Sequence, residues 1–173
     1  MCLALVPIHS FACCIFIDDP NARTDDIVRR EVRRSAAVFT GTVDRFEYRK
    51  GYRNLTFEVL NQAGAETPSS WRSKVAIVKV DHWWKMAMPP EVILVTDDTI
   101  DSAGQLYQGF DHSPFAEGES YLIYADGTLN ELRGRGCSRT VPLSRASDDL
   151  AILGPGNAPI VIDTEDTTDR PHY

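Results

Sequence analysis

The chain lacks most of the signatures that assign a function directly. It has no His-Glu-x-x-His, no Gly-x-Ser-x-Gly and no glycine-rich phosphate loop, so neither a familiar hydrolase nor a nucleotide site is indicated. No run approaches the ~20 apolar residues of a membrane-spanning helix, and no internal period marks a repeat protein. Cations are in deficit: 18 Lys and Arg face 25 Asp and Glu, a net charge of −7. Affinity for phosphate backbones and anionic membranes rests on clustered cations, so this balance argues against nucleic acid as a partner. Cysteine is scarce too, at Cys2, Cys13, Cys14 and Cys137. Adjacent Cys13 and Cys14 cannot form a C-x-x-C unit and no second pair exists, which argues against a structural zinc site. One long-range disulfide to Cys137 fits better, contributing up to ~4–5 kcal/mol by restricting the unfolded chain. Four reduced, mostly buried thiols are the alternative.

What remains describes one domain, since 173 residues suffice for a proper core. Residues 1–12 (MCLALVPIHSFA) are apolar and small, with Ser10 and Ala12 at positions −3 and −1 before Cys13. That pattern suits a leader or the remnant of a signal peptide; a buried N-terminal strand is the alternative. Asp19-Pro20 opens a helix with Asp25 and Asp26 early and Arg29, Arg30, Arg33 and Arg34 late, an order that suits the helix dipole and lines one exposed face. Strands are expected at 36–43, with Gly41 marking a bulge or sharp bend, and at 52–60, 74–84 and 91–96. Residues 61–70 and 97–114 read as loops. The run Tyr121-Leu122-Ile123-Tyr124 reads as a buried strand, and Asp126-Gly127 as a tight turn into 128–132. Ser144 is a candidate N-cap for a short helix carrying Ala146, Leu150 and Leu153, stopped by Gly154-Pro155. Residues 155–173, rich in Pro, Asp and Thr, read as a disordered acidic tail. Together these elements predict a mainly β protein: an OB-like five-stranded closed barrel with an early helix and a short C-terminal one.

Chemistry-bearing residues are thinly spread. His9, His82, His112 and His172 form no motif, and Asp111-His112 is the one pair resembling a base with an orienter. Asp97, Asp98 and Asp101 match no standard calcium loop, so a solvated polar loop is the simpler reading. Asn54-Leu55-Thr56 is a glycosylation sequon. Trp83 and Trp84, with Trp71, are candidates for a ligand face, although a tryptophan pair on a strand more often places one ring in the core and one at its rim. No catalytic activity and no cofactor are expected.

A leading cysteine pair (Cys13, Cys14) is followed by AAVFTGTV (36–43), VKVDHWWK (78–85), FAEGESYLIYA (115–125) and CSRT (137–140), then Pro142-Leu143, Asp149-Leu150 and Leu153-Gly154. In this combination residues 13–154 resemble the netrin-like module of the tissue inhibitors of metalloproteinases, in the short form found outside animals. The departures are adjacent cysteines in place of C-x-C, Ala103-Gly104 where Cys-Gly is usual, Met86 where a glycine usually follows Trp-Lys, and an inserted hairpin at 46–72. The resemblance implies a disulfide between Cys14 and Cys137, leaving Cys13 spare. It also implies a secreted or extracytoplasmic inhibitor of a zinc metalloprotease. After cleavage behind Ala12, the α-amino nitrogen and carbonyl oxygen of Cys13 would chelate the protease's zinc. An extracytoplasmic binding or scaffold module is the alternative, with Cys13 as a site for a lipid anchor.

Overall fold

The computed structural model describes residues 22–52, 71–109, 115–134 and 138–161. All four cysteines, the 1–12 segment, Asn54, Asp111, His112, the strand and loop expected over 53–70, and residues 162–173 lie outside them.

Helix α1 (Thr24–Arg34) has Asp25 and Asp26 in its first turn and Arg33 and Arg34 in its last, and it buries Val28 and Glu31. Its C-terminal end is closed from a distant strand. Lys85 Nζ donates to the carbonyls of Val32 at 2.8 Å and Arg33 at 3.1 Å, placing a cation where the dipole favours one. Ser35 Oγ donates to the Glu31 carbonyl at 3.0 Å.

The strands are β1 (Ala37–Arg49), β2 (Arg72–Lys85), β3 (Glu91–Ile100), β4 (Leu106–Tyr107), β5 (Ser120–Thr128), β6 (Glu131–Gly134) and β7 (Val141–Pro142). They form one seven-stranded sheet in the order β1-β2-β3-β6-β5-β7, and a further β1–β5 pairing closes a ring through five strands. Within the ring only β3 and β6 run parallel. The mainly β fold with five-stranded closure and two flanking helices is therefore as expected.

Closure needs β1 to serve two neighbours and to bend. Its pairing with β2 slips between Thr40 and Gly41, the bulge that the glycine foretold. A Cβ on Gly41 would lie 2.5 Å from the Lys79 carbonyl oxygen and 2.7 Å from Val78 Cγ1. Only a residue without a side chain lets the two strands cross so closely.

Two cores follow from the alternation along β5. Tyr121, Ile123 and Ala125 point inside the ring with Phe39, Val78, Leu94 and Leu132. Leu122 and Tyr124 point outward and join Val38 and Ala146 beneath Val32, Trp84, Leu143, Leu150 and Leu153. A strand covered on both faces reads as a continuous apolar run.

Four local expectations are corrected. β1 continues past Val43 to Arg49, so residues 46–49 of the supposed 46–72 insertion extend an existing strand. The polar 97–114 stretch is not all loop: β3 reaches Ile100 through a register shift against β2, Thr99 is fully buried, and β4 pairs with Thr99 and Ile100. The β5–β6 turn falls on Leu129-Asn130, not Asp126-Gly127. Gly127 is instead paired opposite Leu132, at φ 98°, where a Cβ would strike the Glu131 carbonyl oxygen at 2.2 Å. Ser144 caps nothing; it sits in a 3-10 turn (Leu143–Arg145), and helix α2 (Ser147–Leu153) starts after Ala146 without a side-chain cap.

Candidate binding face around Trp83 and Trp84

β2 carries the tryptophans beyond the point where β3 stops pairing with it, at Lys79. Successive residues of a strand face opposite ways, so Trp83 packs against the core inside the ring and Trp84 against the outer core. Both are half-buried, and neither presents a bare ring with an unused N–H. Trp83 Nε1 donates to the Ala158 carbonyl at 2.9 Å, and Trp84 Nε1 to the Gly154 carbonyl at 2.9 Å. The expected ligand face is thus occupied at both indole N–H groups by the chain's own segment after α2. That segment was expected to be disordered from Pro155, yet it stays in register with β2: Trp83 N–H donates to the Asn157 carbonyl at 2.9 Å and Asn157 N–H to the Trp83 carbonyl at 2.8 Å. Ile160 N–H then donates to the Met88 carbonyl at 2.8 Å. Placed structure continues past Gly154 to Val161.

Open space remains on either side of the Trp84 ring. One groove, of about 350 Å³, is lined by Val28, Arg29, Val32, Arg33, Trp84, Ile152 and Leu153. The other, of about 480 Å³, is lined by Thr40, Asp81, His82, Trp84, Leu143, Leu150 and Gly156. Both fall in the size range of small-ligand or side-chain clefts.

Under this face lies a buried tyrosine bonded to an ion pair. Tyr124 Oη donates to Asp149 Oδ2 at 2.8 Å. Arg139 Nε donates to the same oxygen at 2.8 Å and Nη2 to Oδ1. Burial, reinforced by the Asp149 carboxylate, pushes the Tyr124 hydroxyl far above the ordinary tyrosine range. The bond to Asp149 raises Arg139 as well, against the opposing effect of burial. Thr140 Oγ1 accepts the Tyr124 backbone N–H at 2.9 Å. Arg139, Thr140 and Asp149 therefore fasten α2 and the segment before it onto β5. This is a structural lock, and it explains residues for which the sequence suggested no chemical role. In the sequence Asp149 stands out only within Asp149-Leu150 and Arg139 only within CSRT, and nothing local pairs the two.

The acidic candidates act locally. Asp101 Oδ1 accepts the N–H groups of Ala103 and Gln105, both at 2.9 Å, and shapes the β3–β4 turn. Asp98 pairs with Lys74 at 3.4 Å. No group of three or more His, Cys, Asp or Glu able to hold a metal exists among the described residues. His82 borders the larger groove. Trp71, the third tryptophan, stacks on Tyr107 with centroids 4.9 Å apart. Among the described residues no helix is long and apolar enough to cross a membrane.

Compared with known proteins, the chain matches no protein-family model and no curated protein.

Proposed function

We propose that the chain is a non-catalytic, extracytoplasmic module of the tissue-inhibitor-of-metalloproteinases type, acting on a zinc metalloprotease. One observation carries the reading. Three of the separated stretches on which the resemblance rests are joined by hydrogen bonds: Tyr124 of the YLIYA strand bonds to Thr140 of CSRT and to Asp149 of Asp149-Leu150, and Asp149 bonds to Arg139 of CSRT. Stretches far apart in sequence that touch in the fold are better grounds than scattered identities. The ring of strands in OB-like order supports it further, though a fold does not fix a function.

The mechanism belongs to Cys13. A catalytic zinc keeps one open position, and a neutral amine can displace its water. An α-amine with a pKa near ~8 is partly neutral at physiological pH. With Ala103 where the resemblance implies a cysteine, Cys13 has no disulfide of its own to pin it, and only its neighbour Cys14, bonded to Cys137, would tether the amine to the domain.

The test is an intact-mass and non-reducing peptide map of protein from its native host, followed by assay against zinc endopeptidases. The expected result is a chain beginning at Cys13, a Cys14–Cys137 link, and inhibition abolished by α-amine acetylation. An unprocessed Met1 with four free thiols, or inhibition indifferent to acetylation, overturns the reading. The grooves beside Trp84 favour a second reading, an extracytoplasmic binding module without inhibitory activity; a lipid-sized mass on Cys13 would select it.

A further inference from the structure

The far end of β2 has an unusual status. β3 pairing ends at Lys79, Val80 N–H still donates to the Pro90 carbonyl at 2.8 Å, and the strand runs on to Lys85 with an outer edge that no other strand covers among the described residues. An open edge is a template for another extended chain. Here the edge is met by residues 154–161 through one antiparallel bridge, Trp83 to Asn157. Two indole N–H groups reach out to the same segment's carbonyls, at Gly154 and Ala158. The fit has a strict steric element. A Cβ on Gly156 would lie 2.8 Å from His82 Cβ and 3.0 Å from the Trp84 ring. Yet the segment contributes little to the core: Asn157, Ala158, Ile160 and Val161 are exposed, Ile160 by 46% and Val161 by 69%. Backbone and indole bonds hold it, with little apolar burial, and elements held in that way open first.

We propose that the Trp83–Trp84 end of β2 is a strand-addition site for an extended peptide, and that residues 154–161 occupy it in cis. The site reads three things in its occupant. It requires a free N–H and C=O to pair with Trp83, two carbonyls four residues apart to accept the indole N–H groups, and glycine between them where the chain crosses Trp84. Recognition of this kind takes affinity from the main chain and selectivity from the one position where a side chain cannot fit. The partner is therefore an extended protein segment carrying glycine one residue before the pairing point. The tethered copy competes at an effective concentration on the order of mM, so a partner engages only where it binds more tightly or where the segment is displaced.

The experiment uses the full chain and a fluorescein-labelled, end-blocked peptide of residues 154–161, followed by anisotropy. Wild-type protein should capture little peptide at tens of μM, because the tethered copy wins. Gly156→Val in the full chain should expel the tethered segment and raise capture at least tenfold, while the same peptide bearing valine for glycine should bind neither protein. Asn157→Pro, an exposed change that removes the N–H pairing with Trp83, should act in the same direction and serves if Gly156→Val fails to fold. Folded variants that capture no more peptide than wild type overturn the proposal, as does a valine-bearing peptide that binds equally well. Amide exchange provides a separate check: Asn157 N–H should exchange faster in Gly156→Val, and unchanged protection would equally refute the steric argument.

Discussion

Asp149→Ala is the perturbation that most directly tests how this fold is closed. The carboxylate is 4% exposed and accepts from two groups, the Tyr124 hydroxyl and the Arg139 guanidinium. The two losses differ in kind. Tyr124 is fully buried, and without an acceptor its hydroxyl is left unsatisfied, at a cost of about 1–3 kcal/mol. Arg139 is 33% exposed, so water recovers part of its solvation, and its share is about 1 kcal/mol after that discount. A total near 3 kcal/mol lowers Tm by about 6–12 °C for a domain of this size. Urea unfolding at neutral pH should give the same loss with an unchanged m value. Tyr124→Phe, which leaves the Asp149–Arg139 pair intact, should cost only about 1 kcal/mol. The two single changes should also be non-additive, because they share a bond. A loss below ~1 kcal/mol for Asp149→Ala, or strict additivity with Tyr124→Phe, would refute the lock.

Two further outcomes follow from the ring. Gly41→Val drives a Cβ into the Lys79 backbone, which cannot yield as a side-chain tip would; the cost should exceed the ~1–3 kcal/mol of ordinary overpacking, read by urea unfolding and by weakened amide protection in both β1 and β2. Burial and the Glu119 hydrogen bond raise the Tyr121 hydroxyl to about 12. Because the folded value lies above the unfolded value of ~10, this group's contribution is complete below pH ~10 and is lost as pH climbs toward 12. Thermal stability should therefore decline across that window, and Tyr121→Phe should flatten the slope; an unchanged slope would assign the decline to other groups.

The legible parts of this protein are those that depend on neighbours in sequence. Alternation and β-branched runs placed β2, β3 and β5, and Gly41 announced the bend that lets β1 close the ring. Asp25, Asp26 and the late arginines placed α1. What escaped depends on distant contact. Pro155-Gly156-Asn157 has the composition of a loop or tail, and nothing local shows that two indoles far earlier in the chain will donate to the carbonyls of Gly154 and Ala158 on either side of it. The Asp126-Gly127 dipeptide looked like a turn for a similar reason. Glycine is required there, but for a close approach to Glu131 across the hairpin, and propensity cannot separate those two uses.

The same distinction bears on where function resides. Polar groups that looked available in sequence are bonded inside the fold: Arg139 to Asp149, Asp98 to Lys74, Asp101 to its own turn, and both tryptophan N–H groups to residues 154–158. A group held by such bonds would have to give them up to bind anything else, and that cost opposes recruitment. At the β2 edge that cost is smaller, because the occupant is held at the surface and contributes little to the core; the proposed inhibitory role draws instead on the Cys13 amine. The two make independent demands. Acetylating the α-amine should silence inhibition and leave peptide capture by Gly156→Val unchanged, whereas Gly156→Val should expose the edge and leave inhibition unchanged. If one treatment altered both activities, the N-terminus and the β2 edge would have to form a single binding surface, and the separate roles assigned to them would fail together.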